Sequence, residues 1–372
     1  MFPRAKGGGI VSSYHGAMRP LWLFVVLACA SCTGQSTVRD GGTTDGSTAG
    51  QLPGTPGAWT WVDVPGTSCD DGTPTGIAVN PGPAGGPLFV YFMGGGACWD
   101  ATTCLVLNTA VHGPFGRAQW EAQGLPALAH PLDRARATNP FRDASYVFIP
   151  YCTGDLHAGN NVVTYDALGP HPYAHVGRRN VEAILPRVRA TWPSATRVVI
   201  AGSSAGGFGA TLNYDLFRRA YPDATMALVD DAGPLLMGDD IPADERSAFY
   251  AVWHMGEVVD PVCPDCKADL SRLYPALVAK YPRDRMALAT SLQDQVIRTY
   301  FKILLAPVFE QRLRALITDR LAPTPTFRTF AIPGESHTLM GTMDTTTAGG
   351  LTLEAWLGRM LAGDVGWASV GL

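Results

Sequence analysis

An α/β fold, with a mostly parallel central sheet and helices on both faces, is predicted by three features of the sequence. Apolar runs of strand length recur between segments with helical spacing. One of them, Val198-Val199-Ile200, leads through Ala201 into Gly202-Ser203-Ser204-Ala205-Gly206 and out into a helix-compatible stretch, Phe208 to Tyr221. Finally, Ser204, Asp294 and His337 each directly follow a predicted strand. With 372 residues, 46% of them hydrophobic and 16% charged, the chain can bury a large core.

The N-terminal residues precede the fold. Arg19 and the apolar Leu21 to Ala28 read as the positive and hydrophobic regions of an export signal, too short to span a bilayer as a mature helix, and Met18 is a candidate start. Leu27-Ala28-Cys29-Ala30-Ser31-Cys32 resembles a bacterial lipobox. Cys29 fits the lipid acceptor better than Cys32, because Val26-Leu27-Ala28 supplies the apolar and small residues expected before it. The alternative is ordinary cleavage and a soluble secreted product. The expected organisation is a signal region over 1–32, a flexible Gly/Ser/Thr linker over 33–57 and one α/β domain over 58–372.

Within that domain Trp59 to Val64 reads as a first strand, Asp70 to Pro74 as a turn and Gly76 to Val79 as its partner. Pro87 to Met93 is apolar throughout, as a strand covered on both faces should be, and it ends in Gly94-Gly95-Gly96. Tyr146 to Tyr151 is a second buried strand, running into the polar, glycine-containing Cys152 to Asn160. In open α/β sheets such loops at carboxyl strand ends carry ligand sites, so Asp155 and His157 are candidate substrate contacts. Val176 to Trp192 has helical spacing with Val181, Ile184, Leu185 and Val188 on one side. Thr225 to Gly233, Arg285 to Leu292 and Thr326 to Pro333 are the later strands, with a helix-like run over Val296 to Leu305. Pro234 to Pro282 reads as a helical insertion over the site, whose Tyr250, Trp253, Met255 and Tyr274 either line an acyl pocket or pack it onto the core.

A G-x-S-x-G pattern between strand and helix places Ser204 on a strained turn with its hydroxyl exposed. The Ala205 amide then opens the helix, and a glycine loop after an early strand supplies a second set of donors, so Gly95, Gly96 and Ala205 are the candidate oxyanion hole. An unaided hydroxyl is a poor nucleophile, so His337 is expected to take its proton and Asp294 to fix the imidazole. The chain order Ser, Asp, His is that of an α/β-hydrolase triad. Asp230 or Asp231 is the competing acid, with bonding of loop backbone near the elbow as its other role.

These residues resemble the pectin acetylesterase and Notum family, especially its bacterial members. The likeness rests on Ser68 to Pro74, Met93 to Trp99, Pro150-Tyr151-Cys152, Gly202 to Gly207, the Asp294-Gln295 neighbourhood and Ser336-His337, and spans most of Trp59 to Leu372. It implies that Ser204, Asp294 and His337 are the triad, that the Gly95, Gly96 and Ala205 amides form the oxyanion hole, and that carboxylic esters are hydrolysed. It also departs from the family: Gly96 stands where Notum has a tryptophan, and the aromatic residues that plant members carry beside the acid are absent near Asp294.

Beyond Cys29 and Cys32 six cysteines remain in a chain expected to be exported, so disulfides are expected. Cys98 and Cys104 flank a short loop and would staple the oxyanion segment. The family resemblance implies Cys69 with Cys152, leaving Cys263 with Cys266. No cofactor or metal is expected, since the histidines lack H-E-x-x-H spacing and the single Cys-x-x-Cys has no second pair. A net charge of −4 without Lys/Arg runs argues against nucleic acid. The expected activity is that of an exported serine carboxylesterase acting on acetyl or acyl esters, with an acetylated polysaccharide such as pectin as substrate class and membrane contact only through the lipid anchor. A serine peptidase or amidase, and a non-catalytic carbohydrate-binding protein on the same scaffold, are the rivals.

Overall fold

A computed structural model describes residues 50–123, 130–166 and 169–372. The signal region, Cys29 and most of the expected linker lie outside the described residues. Strands β1 (Thr60–Ser68) and β2 (Pro74–Asn80) form an antiparallel pair. They are followed by β3 (Leu88–Phe92), α1 (Arg117–Gln123), β4 (Ser145–Ile149) and a separate hairpin of β5 (Asn161–Tyr165) and β6 (His171–His175). Next come α2 (Gly177–Thr191), β7 (Arg197–Ser203), α3 (Ala205–Ala220) and β8 (Thr225–Asp231). The predicted insertion contains α4 (Ala243–Val252) and α5 (Leu273–Lys280). The chain closes with β9 (Arg285–Ser291), α6 (Gln295–Tyr300), α7 (Ala306–Leu316), β10 (Phe327–Ile332) and α8 (Leu353–Ala362).

The main sheet has eight strands in the order β1-β2-β4-β3-β7-β8-β9-β10, parallel from β4 onward. Side chains alternate across it, and each face has its own core. Val90, Phe92, Val198, Ile200, Leu228 and Leu288 point to one face, where α2 packs Val181, Ile184 and Val188 and α3 packs Phe217. Phe89, Val199, Ala201, Ala227, Ala287 and Ala289 point to the other, where α8 brings Trp356 and Leu357. Alanines on that second face leave room for the indole of Trp356. The predicted fold class, with helices on both faces, is what the structure has.

Three stretches differ from the sequence reading. The expected linker ends before residue 57: Leu52 is buried, its amide donates to Thr191 Oγ1 at 2.8 Å, and the Gly57 amide bonds Pro81 O. One apolar side chain in a polar stretch is enough to seat it against α2. The helix-like run over Val296 to Leu305 breaks after Tyr300, where Lys302 takes a φ of 55°, and α7 starts afresh. The β5–β6 hairpin escaped notice because neither strand is an apolar run: β5 alternates between half-buried and exposed residues, and β6 starts exposed and ends buried.

All parallel strands end at one edge. Gly94 to Gly96 follow β3, Ser204 follows β7, Asp231 ends β8, Asp294 follows β9 and His337 follows β10. Ser204 and His337, 133 positions apart in sequence, therefore meet at one rim.

Candidate active site

Ser204 occupies the turn between β7 and α3 with φ 59° and ψ −125°, a conformation costly for a residue with a Cβ. The turn is held from beneath by its own amide, which donates to Asp231 O at 2.7 Å, while the Gly207 and Phe208 amides return to Ser204 O. Glycine is required on either side. A Cβ at Gly202 would strike the Gly206 carbonyl, and one at Gly206 would strike the Phe92 carbonyl of β3.

Ser204 Oγ lies 2.8 Å from His337 Nε2, and His337 Nδ1 lies 2.9 Å from Asp294 Oδ2. Asp294 is fully buried and caps α6, its Oδ1 accepting from the Val296 and Ile297 amides at 2.9 and 3.0 Å. Those donors fix the orientation of the carboxylate, which presents both oxygens to the imidazole, Oδ2 at 2.9 Å and Oδ1 at 3.1 Å. The three residues named from sequence are thus brought into one hydrogen-bonded line.

Asp230 and Asp231, the competing acids, do not join that line. Asp231 accepts from Ser203 Oγ at 2.6 Å and from the Leu339 and Met340 amides at 2.7 and 3.0 Å. It therefore braces the His337 loop against the strand that leads into Ser204. Burial raises its pKa against the pull of these donors. Asp230 accepts from Thr211, the Gly233 amide and Tyr274 under α3, and burial lifts it to about 7.

The glycine loop is shaped by positive φ at Gly95 (155°) and Gly96 (77°). Val111 donates to Gly95 O at 2.7 Å, and Gly96 bridges Ala110. Among the described residues the Gly95 and Gly96 amides donate to no protein acceptor, nor does the Ala205 amide at the first position of α3. Tyr300 closes the arrangement by bonding Thr109 O, so the α6 end clamps the segment against which the glycine loop rests.

Two cavities meet at Ser204. A narrow one, about 40 Å³, runs beside Ala205 between Trp99, Phe208, Phe249, Met255 and Phe301. An open one, about 330 Å³, lies along Gly94 to Gly96, Tyr300, His337 and Thr338. Of the insertion side chains singled out from sequence, Met255 lines the narrow cavity, whereas Trp253 and Tyr274 are fully buried packing residues. Phe249, Tyr300 and Phe301 were missed; the last two supply, six and seven residues along the chain, the aromatic surface absent right beside Asp294.

The Pectinacetylesterase family model matches residues 59–300, more than half of the chain. The chain belongs to the pectinacetylesterase family. Curated relatives include palmitoleoyl-protein carboxylesterase notum2 of Xenopus laevis, 29% identical over 170 residues that make up 45% of this chain and 33% of that protein. The NOTUM protein of Schmidtea mediterranea is 28% identical over 156 residues, 41% of this chain and 28% of that one. The match thus spans about a third of the length of these relatives. Among solved structures, the Wnt deacylase Notum from Drosophila superposes with a TM-score of 0.61 at 17% identity, covering 82% of this chain and 92% of that one, a likeness of fold.

In this pectinacetylesterase Asp155 and His157 are not at the mouth of the site, which corrects the sequence reading. Both are buried. Asp155 accepts from Thr153 Oγ1 and from the His157, Gly159 and Gly177 amides, anchoring the start of α2. The His157 ring donates from Nε2 to Met93 O at 2.9 Å and so supports the strand end that opens the glycine loop. Their polar, glycine-containing setting marks a loop, but not whether that loop folds inward.

Burial lowers the His157 pKa from 6.5 to about 4. The unfolded chain takes up that proton near 6.5 and the folded ring resists it, so stability is lost as pH falls from 6.5 to 4, by up to about 3 kcal/mol. Asp155, raised to about 6 by burial, acts in the opposite sense over much of that range. His157→Gln, which keeps a donor for Met93 O, is therefore expected to lose less stability than wild type on going from pH 6.5 to 4. Parallel urea melts at the two pH values would check this; equal losses would contradict it.

All three expected disulfides are present: Cys69–Cys152, Cys98–Cys104 and Cys263–Cys266. The first ties the end of β1 to the loop after β4, and the second clasps the segment that follows the glycine loop.

Proposed function

We propose that this pectinacetylesterase is a serine carboxylesterase that removes short acyl groups from a bulky alcohol, with an O-acetylated polysaccharide as substrate class. The observation that carries this reading is the line Ser204–His337–Asp294 at the junction of a narrow apolar cavity and an open one. Ser204 Oγ attacks the ester carbonyl while its proton passes to His337 Nε2, and Asp294 stabilises the imidazolium. The oxyanion accepts from the Gly95, Gly96 and Ala205 amides. Collapse of the tetrahedral adduct breaks the ester C–O bond, and the alcohol leaves with the proton from His337. Water, deprotonated by the same imidazole, then hydrolyses the acyl-serine.

Cavity size sets the acyl length. One water needs about 10–15 Å³ of such space, so the narrow cavity holds a chain of a few carbons. The open side suits a sugar within a polymer. Export supports the same substrate: three disulfides fit an oxidising compartment, and Cys29 is the proposed point of lipid attachment.

Two measurements test the proposal. A fluorophosphonate probe should label Ser204, and p-nitrophenyl acetate and butanoate should exceed the palmitate ester in kcat/KM by about tenfold or more. Unlabelled protein would remove the esterase reading. A series that favours palmitate would remove the short-acyl part alone.

A further inference from the structure

The apolar cavity contains one charged side chain among its described lining residues, Glu245 of α4. Glu245 is 1% exposed. Lys302 Nζ lies 2.7 Å from its Oε1, and Lys302 itself is largely exposed. Oε1 meets Lys302 as an ion pair without hydrogen-bond geometry, and Oε2 has neither an ionic nor a hydrogen-bond partner among the described residues. A buried acceptor without a donor is costly, and a purely apolar occupant of the cavity would leave that cost uncompensated.

Resting on the esterase reading above, we infer that Glu245 selects acyl groups bearing a hydroxyl, whose O–H donates to Oε2 when the acyl chain fills the cavity beside Ser204. The walls suit the carbon chain: Trp99, Phe208, Phe249, Met255 and Phe301 contact it without competing for hydrogen bonds. Lys302 already balances the carboxylate charge, so a neutral donor fits better than an ammonium group, which would be repelled by Nζ. Burial raises the Glu245 pKa while Lys302 opposes that shift, in keeping with a carboxyl whose second oxygen awaits a donor. A site built to bond a substrate hydroxyl discriminates against the analogue lacking it far more sharply than an apolar pocket discriminates one methylene.

The test compares p-nitrophenyl 3-hydroxybutanoate with butanoate, and 3-hydroxypropanoate with propanoate, each corrected for its spontaneous hydrolysis in the same buffer. A hydrogen bond to a charged acceptor corresponds to about a tenfold to hundredfold preference in kcat/KM for at least one hydroxylated ester. Glu245→Leu should abolish that preference while plain butanoate is still hydrolysed, and Glu245→Gln, which retains an accepting oxygen, should keep part of it. Equal rates for both pairs in the wild type overturn the inference without any variant. So does a preference that persists in Glu245→Leu, or in Glu245→Gln at full strength should the leucine variant not fold. Loss of all ester turnover in the wild type would instead sink the esterase reading, and this inference with it.

Discussion

Ser204→Ala is expected to lower kcat/KM for p-nitrophenyl acetate by about three orders of magnitude or more, with the fold retained. The substitution deletes one oxygen. Its partner, His337, keeps the carboxylate on its other nitrogen, so no buried charge is stranded. The turn is held by main-chain bonds, Ser204 N to Asp231 O and the Gly207 and Phe208 amides to Ser204 O, all of which alanine can make. The Gly95, Gly96 and Ala205 amides, proposed as oxyanion donors, and the apolar cavity also survive, and they are expected to sustain a residual rate above the uncatalysed reaction. Near-UV circular dichroism should match the wild type. A variant that retains activity within about tenfold would remove Ser204 from the mechanism, because loss of an attacking hydroxyl costs orders of magnitude more than that.

How much of this was legible in the sequence depends on whether a residue's role is local. The elbow is local: glycine on both sides of Ser204 and a β-branched run before it encode strand, turn and helix together, and β7 and α3 follow. His337 and Asp294 were legible because each sits just past an apolar run, and parallel strands deliver their carboxyl ends to one edge. Bonding of loop backbone near the elbow, the other role weighed for Asp230 or Asp231, is what Asp231 does, but which loop it holds was not legible: two of its partners are main-chain amides 108 and 109 residues away, and an amide leaves no trace in residue type. Asp155 and His157 were misplaced for a related reason. A polar stretch with glycine looks solvent-facing, but here four donors converge on one carboxylate and allow the loop to be buried. The cavity walls were only partly legible. Phe249 and Tyr300 come from helices without motif and Phe301 from the residue after α6, and their convergence depends on how the insertion and α6 pack.

The assignment of the acid is tested by two parallel substitutions. Asp294→Asn is expected to cut kcat/KM by about four orders of magnitude. Asparagine retains an oxygen to cap Val296 and Ile297, so α6 should persist. Its amide nitrogen then faces His337 Nδ1 and donates to it, which places the imidazole proton on Nε2. That nitrogen can no longer accept from Ser204, so the chemical step fails while the substrate still binds, and the loss should fall in kcat with KM little changed. Asp231→Asn is expected to cost much less, about tenfold to a hundredfold. It removes an acceptor from the set that holds Ser203, Leu339 and Met340, so His337 is displaced by part of an ångström but keeps its tautomer. A loosened loop binds and reacts less well at once, and kcat and KM should both shift. The two variants separate an acid that touches the imidazole from one that positions its loop. Were Asp231→Asn the more damaging of the two, with the loss confined to kcat, the acid would have to be reassigned to β8 and the hydrogen bond between Asp294 and His337 would lose its mechanistic meaning.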